Sequence, residues 1–174
     1  AGRGTMARDG GGVLLTQAIH NIDLFRSLVG VRSVVAAQAR RTDVHQMETE
    51  DFASALLTLG NGAPGQLMAT TAMFPGYPET IEIMGTLGSA VLDGGALRIQ
   101  YADGRKLHIA SEGGTGSGAN IMDFPNDAHR ALLGDFTQAI RQNRDPRVTG
   151  DDALATHQII DQVLRRAADA LPAP

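Results

Sequence analysis

Residues 80–110 read TIEIMGTLGSAVLDGGALRIQYADGRKLHIA, and this stretch decides the fold class. Four short runs rich in aliphatic and β-branched residues, 80–84, 89–93, 96–101 and 106–110, are separated by turn signals: Gly85-Thr86-Leu87-Gly88, Gly94-Gly95 and Asp103-Gly104. Connections this short join antiparallel neighbours, because a parallel pair needs a crossover of a dozen or more residues. A meander of antiparallel strands therefore fills the middle of the chain.

Working upstream, residues 51–59 and 66–73 read as two more strands, joined through the Asn61-Gly62 hairpin signal within 60–65. Residues 31–39 read as a strand centred on Val34 and Val35. Before it, Leu15, Ile19, Ile22, Phe25 and Val29 recur at helical spacing within 13–29, and Gly30 stands where a terminating glycine is expected. Downstream, residues 128–142 read as a helix with Leu132, Leu133, Phe136, Ala139 and Ile140 on one stripe. Thr149 caps a last helix, with Asp152 three residues on in capping-box spacing. Leu154, Ile160, Val163, Leu164 and Ala167 form its apolar side. Residues 1–12 read as a loop or linker, 112–126 as a Gly-rich loop, and 171–174 as a frayed tail. Helix, then strands, then helices predicts an α+β fold: an open, mostly antiparallel sheet with helices packed on one face.

The 174 residues are 43% hydrophobic, enough for one domain with a sizeable core. Net charge is -4 with no basic surplus, which argues against nucleic acid as a partner. The apolar runs are too short to span a bilayer, so no membrane role is expected. Residues 1–12 lack an apolar centre, so no signal peptide is expected. The absence of cysteine removes disulfides, thiolate zinc sites and thiol nucleophiles, and it fits a cytoplasmic location. With aromatics at 4% and no Trp, the core must be built from Leu, Ile, Val, Met and Ala.

Two glycine motifs invite a dinucleotide reading. Gly60, Gly62 and Gly65 match G-x-G-x-x-G, but an alternating, β-leaning run follows, not the helix whose N-terminus must meet a pyrophosphate. A hairpin is the better reading. Residues 114–119 match the relaxed G-x-G-x-x-A form, and Pro125 intervenes before the next helical pattern. The chain is therefore expected to hold no dinucleotide of its own. The five histidines show no metal-motif spacing, and no metal site is expected. His157 falls among the apolar positions of the last helix and reads as a hydrogen-bonded residue at the core margin. His129 opens a helix and reads as a structural or loop-contact group; His45 and His108 read as solvated. His20 is mid-helix, with Thr16, Asp23 and Ser27 near its face. That stripe is either an ordinary solvent face or a catalytic one. Imidazole titrates near neutrality and can take a proton from an alcohol as hydride leaves. Thr16 can orient it or bind substrate, but is no base itself.

Residues 10–23, GGGVLLTQAIHNID, resemble the G-G-G-x-L-x-D-x-G-x-H-x-x-D segment of the Gfo/Idh/MocA oxidoreductases. Residues 57–63 (LTLGNGA) resemble that family's central hairpin, and 81–93 (IEIMGTLGSAVLD) its I-E-x-x-G-x-x-G-x-x-x-x-D strand pair. Residues 136–146 with 148–152 resemble its closing helix–loop–helix. The resemblance implies residues 1–10 as a linker remnant and 11–174 as the C-terminal substrate and oligomerisation domain, with the N-terminal Rossmann domain absent. It implies NAD or NADP in the full-length enzyme, with none bound to this chain, which alone is catalytically incomplete. The implied reaction moves a hydride between nicotinamide and a secondary alcohol of a sugar, cyclitol or related compound. In the family, a lysine of the other domain works with the Asp and His of the helix motif. His20 matches that histidine, Thr16 stands in the aspartate position, and Asp23 matches the final Asp, for substrate binding or for structure. The Thr16 departure keeps a second reading open, a non-catalytic binding or assembly domain of the same fold. Implied partners are a polyol or sugar, the Rossmann domain, and further copies of the chain. Neither face of the 51–59 strand is polar enough to be wholly wet, so a dimer or higher homo-oligomer through the sheet face is expected.

Overall fold

The structure, a computed structural model, describes residues 4–110 and 126–169. The Gly-rich loop (all but Asn126), the second glycine motif and the C-terminal tail lie outside the described residues. In chain order the elements are α1 (Met6–Asp9), a π-helical turn (Leu14–Ala18), α2 (Ile19–Val29), β1 (Val31–Arg40), β2 (Phe52–Leu59), β3 (Pro64–Thr70), β4 (Thr80–Gly85), β5 (Gly88–Asp93), β6 (Ala96–Tyr101), β7 (Lys106–Ile109), α3 (Asp127–Gln142) and α4 (Gly150–Asp169). They divide into two compact units, one from Ala1–Phe74 with Val148–Pro174, the other from Pro75–Arg147. Every strand pair is antiparallel, and the class is α+β as expected. The strands form two hydrogen-bonded sets, β1-β2-β3 and β4-β5-β6-β7.

In the first unit the register aligns Ala37, Ala55 and Leu67, and next to them Ala39, Ala53 and Ala69. Small side chains on one face let a helix lie close to the sheet. There α4 seats Ile159, Ile160, Val163 and Ala167 in one buried cluster with Val34, Ala37, Ala53, Ala55 and Leu57, joined by Val13, Leu14 and Ile22. Each large aliphatic chain buried this way contributes about 1.5–3 kcal/mol. The opposite face keeps Leu56 and Met68 exposed, and Val35 is exposed at a register shift in β1.

The helix ends follow from local chemistry. At the end of α2, Gly30 has φ of +66° and donates its N–H to the Arg26 carbonyl at 2.8 Å, a backbone turn that glycine adopts freely. At the start of α4 the Thr149 N–H meets Asp152 Oδ2 at 3.2 Å, and the Asp152 N–H meets Thr149 Oγ1 at 3.2 Å, the expected reciprocal cap.

In the second unit, β4–β7 alternate cleanly. Ile83, Ala90, Ile99 and Leu107 align on one face, with Ile81, Leu92, Leu97 and Ile109 beside them; Glu82, Val91, Arg98 and His108 align on the other. Helix α3 ends at Asn143, which takes the left-handed conformation (φ 48°). Of its expected stripe only Ala139 is buried; Leu132, Leu133, Phe136 and Ile140 are exposed.

Several sequence expectations need correction. Residues 6–9, read as loop, form one helical turn because the Asp9 carboxylate accepts the N–H groups of Gly4 and Thr5. Strand β3 stops at Thr70, not residue 73. The Thr70 hydroxyl donates to the Asp51 carbonyl and accepts the Ala72 N–H, which turns the chain. Leu154 is 54% exposed, so the buried stripe of α4 starts at Thr156. His157 is exposed and makes no hydrogen bond among the described residues. His45 lies in a loop and is partly exposed as expected, but its Nδ1 also lies 3.0 Å from Oδ2 of buried Asp51.

Candidate active site

The helical run from Val13 to Val29 is not uniform. It opens with the π-helical turn, and His20 is the second residue of the α-helical part. Single π turns inside helices recur at functional sites, where the extra residue re-aims the side chains that follow. Thr16, His20 and Ser27 are exposed and Asp23 is half-buried.

No two of Thr16, His20 and Asp23 are hydrogen-bonded to each other. The Thr16 hydroxyl donates to the Gly12 carbonyl at 2.8 Å, so its proton is committed to the backbone and its oxygen can only accept. His20 makes no hydrogen bond among the described residues, and its imidazole is open to solvent. Asp23 is tied down through one oxygen. Its Oδ1 accepts the Thr156 hydroxyl at 2.5 Å and the Arg26 guanidinium at 3.1 Å. Arg26 Nε in turn donates to Thr156 Oγ1 at 2.9 Å, and its Nη2 lies 3.7 Å from Asp152. The Thr156 hydrogen bond, with help from Arg26 and against some desolvation, holds the Asp23 carboxyl below the ordinary aspartate range. Asp23 Oδ2 makes no hydrogen bond among the described residues.

Sequence reasoning missed Thr156, Arg26 and Glu50. Thr156 had a signal, since it stands four residues before Ile160 on the buried side of α4 and is 2% exposed. A buried hydroxyl needs partners, and here they are Asp23 and Arg26. Glu50 had none. Its carbonyl accepts the Val13 N–H at 2.9 Å and its Oε1 the Leu14 N–H at 3.2 Å, across thirty-six positions of sequence. The loop that carries Glu50 is anchored next door. Fully buried Asp51 accepts the Thr42 N–H and hydroxyl, each at 2.7 Å, and His45. Burial raises the Asp51 pKa, and the hydrogen bonds from Thr42 and His45 outweigh it, for a net lowering.

The Gly60, Gly62 and Gly65 motif lacks the geometry of a dinucleotide-binding turn. Gly60–Gly62 form the turn between β2 and β3, closed by the Leu59 N–H on the Ala63 carbonyl at 2.8 Å, and a strand follows, not a helix. Among the described residues no cluster of His, Asp and Glu is placed to hold a metal, and no helix is long and apolar enough to cross a membrane. A shallow concavity runs along α3, lined by Asn126, His129, Arg130, Leu133, Gly134 and Thr137, and contains none of the stripe residues.

Comparison with known proteins shows the family of the chain. The chain is 26% identical over 175 residues to the uncharacterized oxidoreductase YrbE of Bacillus subtilis (strain 168), covering 95% of the chain and 48% of that protein. It is 27% identical over 157 residues to scyllo-inositol 2-dehydrogenase (NAD(+)) of the same organism, covering 86% of the chain and 43% of that protein. The chain thus spans about half the length of the curated relatives it matches. Among solved structures it resembles the WlbA dehydrogenase of Bordetella pertussis, in complex with NADH and UDP-GlcNAcA, with a TM-score of 0.71, 26% identity, and 99% of this chain and 49% of that one covered. Residues 1–91, which include the π turn, the His20 helix and the glycine hairpin, match the GFO/IDH/MocA C-terminal domain, and the chain belongs to that family.

Proposed function

We propose that the chain is the substrate-side domain of an NAD(P)-dependent oxidoreductase acting on a secondary alcohol of a sugar, cyclitol or related compound. The observation that carries this reading is His20, an exposed imidazole with no hydrogen bond among the described residues, two positions after a π turn. The nicotinamide, held by a Rossmann domain of the complete protein, would exchange hydride with the carbinol carbon. His20 exchanges the hydroxyl proton at an imidazole nitrogen. Asp23 offers Oδ2 to a neighbouring substrate hydroxyl while Oδ1 keeps α2 on α4. Thr16 presents an acceptor oxygen one turn before His20. It cannot replace an aspartate as a charged partner, so His20 relies on a lysine from the other domain. The relatives support the substrate class, being a scyllo-inositol dehydrogenase and a WlbA dehydrogenase. The exposed Leu56 and Met68 on the outer face of β1–β3 support self-association through that sheet face. The lack of cysteine supports a cytoplasmic location.

Thr16 at the aspartate position favours a second reading, a binding or assembly domain that keeps the fold without the chemistry. Turnover of polyols or sugars by the complete protein with NAD or NADP separates the two. The division of labour is tested by calorimetry on this chain alone. Titration with NAD and with NADP should give no binding heat, and micromolar affinity would overturn the assignment of the cofactor to another domain.

A further inference from the structure

We propose that Glu50 is a positioning residue for the Thr16–His20 pair, fixing the π turn that sets one against the other. The inference rests on the reading of His20 as the proton-exchanging group. An α-helix leaves its first N–H groups without partners, and a carboxylate at that end is favoured by the aligned peptide dipoles. Here Glu50 takes both roles. Its carbonyl holds the Val13 N–H at 2.9 Å and its Oε1 the Leu14 N–H at 3.2 Å. Gly12 interlocks with it, because a Cβ there would overlap the Glu50 carbonyl and carboxylate.

The run is anchored twice. Near its start, Leu14 is fully buried and its N–H is bound by Glu50. Further along, Ile22 is 3% exposed and Asp23 and Arg26 are tied to Thr156. The π turn Leu14–Ala18 lies between these anchors. A π turn carries one residue more than an α-helical turn, so it takes up a one-residue mismatch between the two anchors. Thr16 lies within the turn, and His20 lies in the helix that the second anchor holds. If the first anchor were released, the turn would close to α-helical register and turn Thr16, which lies inside it, around the axis relative to His20 by a fraction of the roughly 100° that one residue spans. The loop that delivers Glu50 is held by the bonds of Asp51 to Thr42 and His45, so the anchor is braced from behind.

The test compares Glu50→Ala, Glu50→Gln and Gly12→Ala in this chain by NMR, at temperatures well below each variant's melting transition. Glu50→Ala and Gly12→Ala should shift the His20 ring resonances and those of residues 14–18. Glu50→Gln keeps an acceptor oxygen and should restore the original positions. Unchanged His20 and Thr16 signals in folded Glu50→Ala would overturn the proposal and leave Glu50 as a helix cap alone. In the complete protein, Glu50→Ala should lower kcat about ten- to a hundredfold with KM little changed, with no further loss when combined with His20→Ala. A Glu50→Ala enzyme with full kcat, where His20→Ala is impaired, would also overturn it. If His20→Ala itself turns over normally while the resonances still move, the proton-exchange reading fails and the positioning geometry stands.

Discussion

The β1–β2–β3 sheet lines its covered face with Ala37, Ala53, Ala55 and Ala69, whereas the β4–β7 sheet lines one face with Ile81, Ile83, Leu92, Leu97, Ile99, Leu107 and Ile109. The first sheet is a bed for helices. Its small side chains bring α4 close, and α4 holds α2 through Thr156, Arg26 and Asp23, so the strip with His20 is seated on a densely packed support. The second is a ladder of local hairpins in which only Ile81 is buried among the described residues. Chemistry that needs fixed geometry belongs on the first kind of support, and the two should respond differently to substitution.

The largest contrast should come from the cores. Ile160→Ala in α4 removes a side chain that is 3% exposed and should cost about 2–5 kcal/mol. Ile99→Ala in β6, which is half-buried, should cost roughly 1 kcal/mol. Denaturant unfolding of both variants reads the difference, and equal losses would erase the distinction between the sheets.

A smaller effect, about 1–3 kcal/mol, is expected for Asp51→Asn, which disturbs the bonds to Thr42 and His45. The pH dependence gives the sharper signature. A carboxyl whose folded pKa is lowered contributes stability that is complete above its unfolded pKa of about 3.9. That contribution is lost as pH falls through the folded value. Asp51 is in this position, so the wild type should lose stability on the acid side from about pH 5 downward. Asp51→Asn should flatten part of that slope. Asp23 and Asp152, also lowered, should supply part of the remainder. An identical acid slope in the variant would mean that Asp51 is not held as a carboxylate.

The smallest stability effect is expected on the outer face of β1–β3. Leu56 and Met68 are 56% and 64% exposed, so Leu56→Glu or Met68→Glu should change folding stability by less than about 0.5 kcal/mol. Either should instead disrupt self-association. Sedimentation equilibrium should show a species heavier than the 18.3 kDa chain in the wild type and a lighter one in the variants. A wild-type monomer at high concentration would remove the sheet face as an interface.

What the sequence made legible was set by local spacing. Gly30 after an apolar helical pattern, Asn61-Gly62 between alternating runs, and Thr149 three residues before Asp152 each encode geometry within a few positions, and each is found as read. The helical spacing of Thr16, His20 and Asp23 is local too, and it suggested a stripe that the His20→Ala test below addresses. The supports of those residues were not legible. Glu50 caps Leu14 from thirty-six positions away, and Thr156 holds Asp23 from 133 away. Neither contact leaves a periodic trace. The π turn was hidden too, because Leu15, Ile19 and Ile22 fit a uniform helix. The loop position of His45 was legible, but nothing near it announces buried Asp51 as its partner.

The central claim is that this chain supplies the proton-exchanging group, and turnover of the complete protein with His20→Ala tests it most directly. His20 is exposed and makes no hydrogen bond among the described residues, so the variant should melt with the wild type. Its kcat should fall about 10²–10⁴-fold, the usual worth of a positioned acid–base group. Turnover equal to the wild type in a folded His20→Ala enzyme would contradict the account and return the Thr16–His20–Asp23 stripe to an ordinary solvent face.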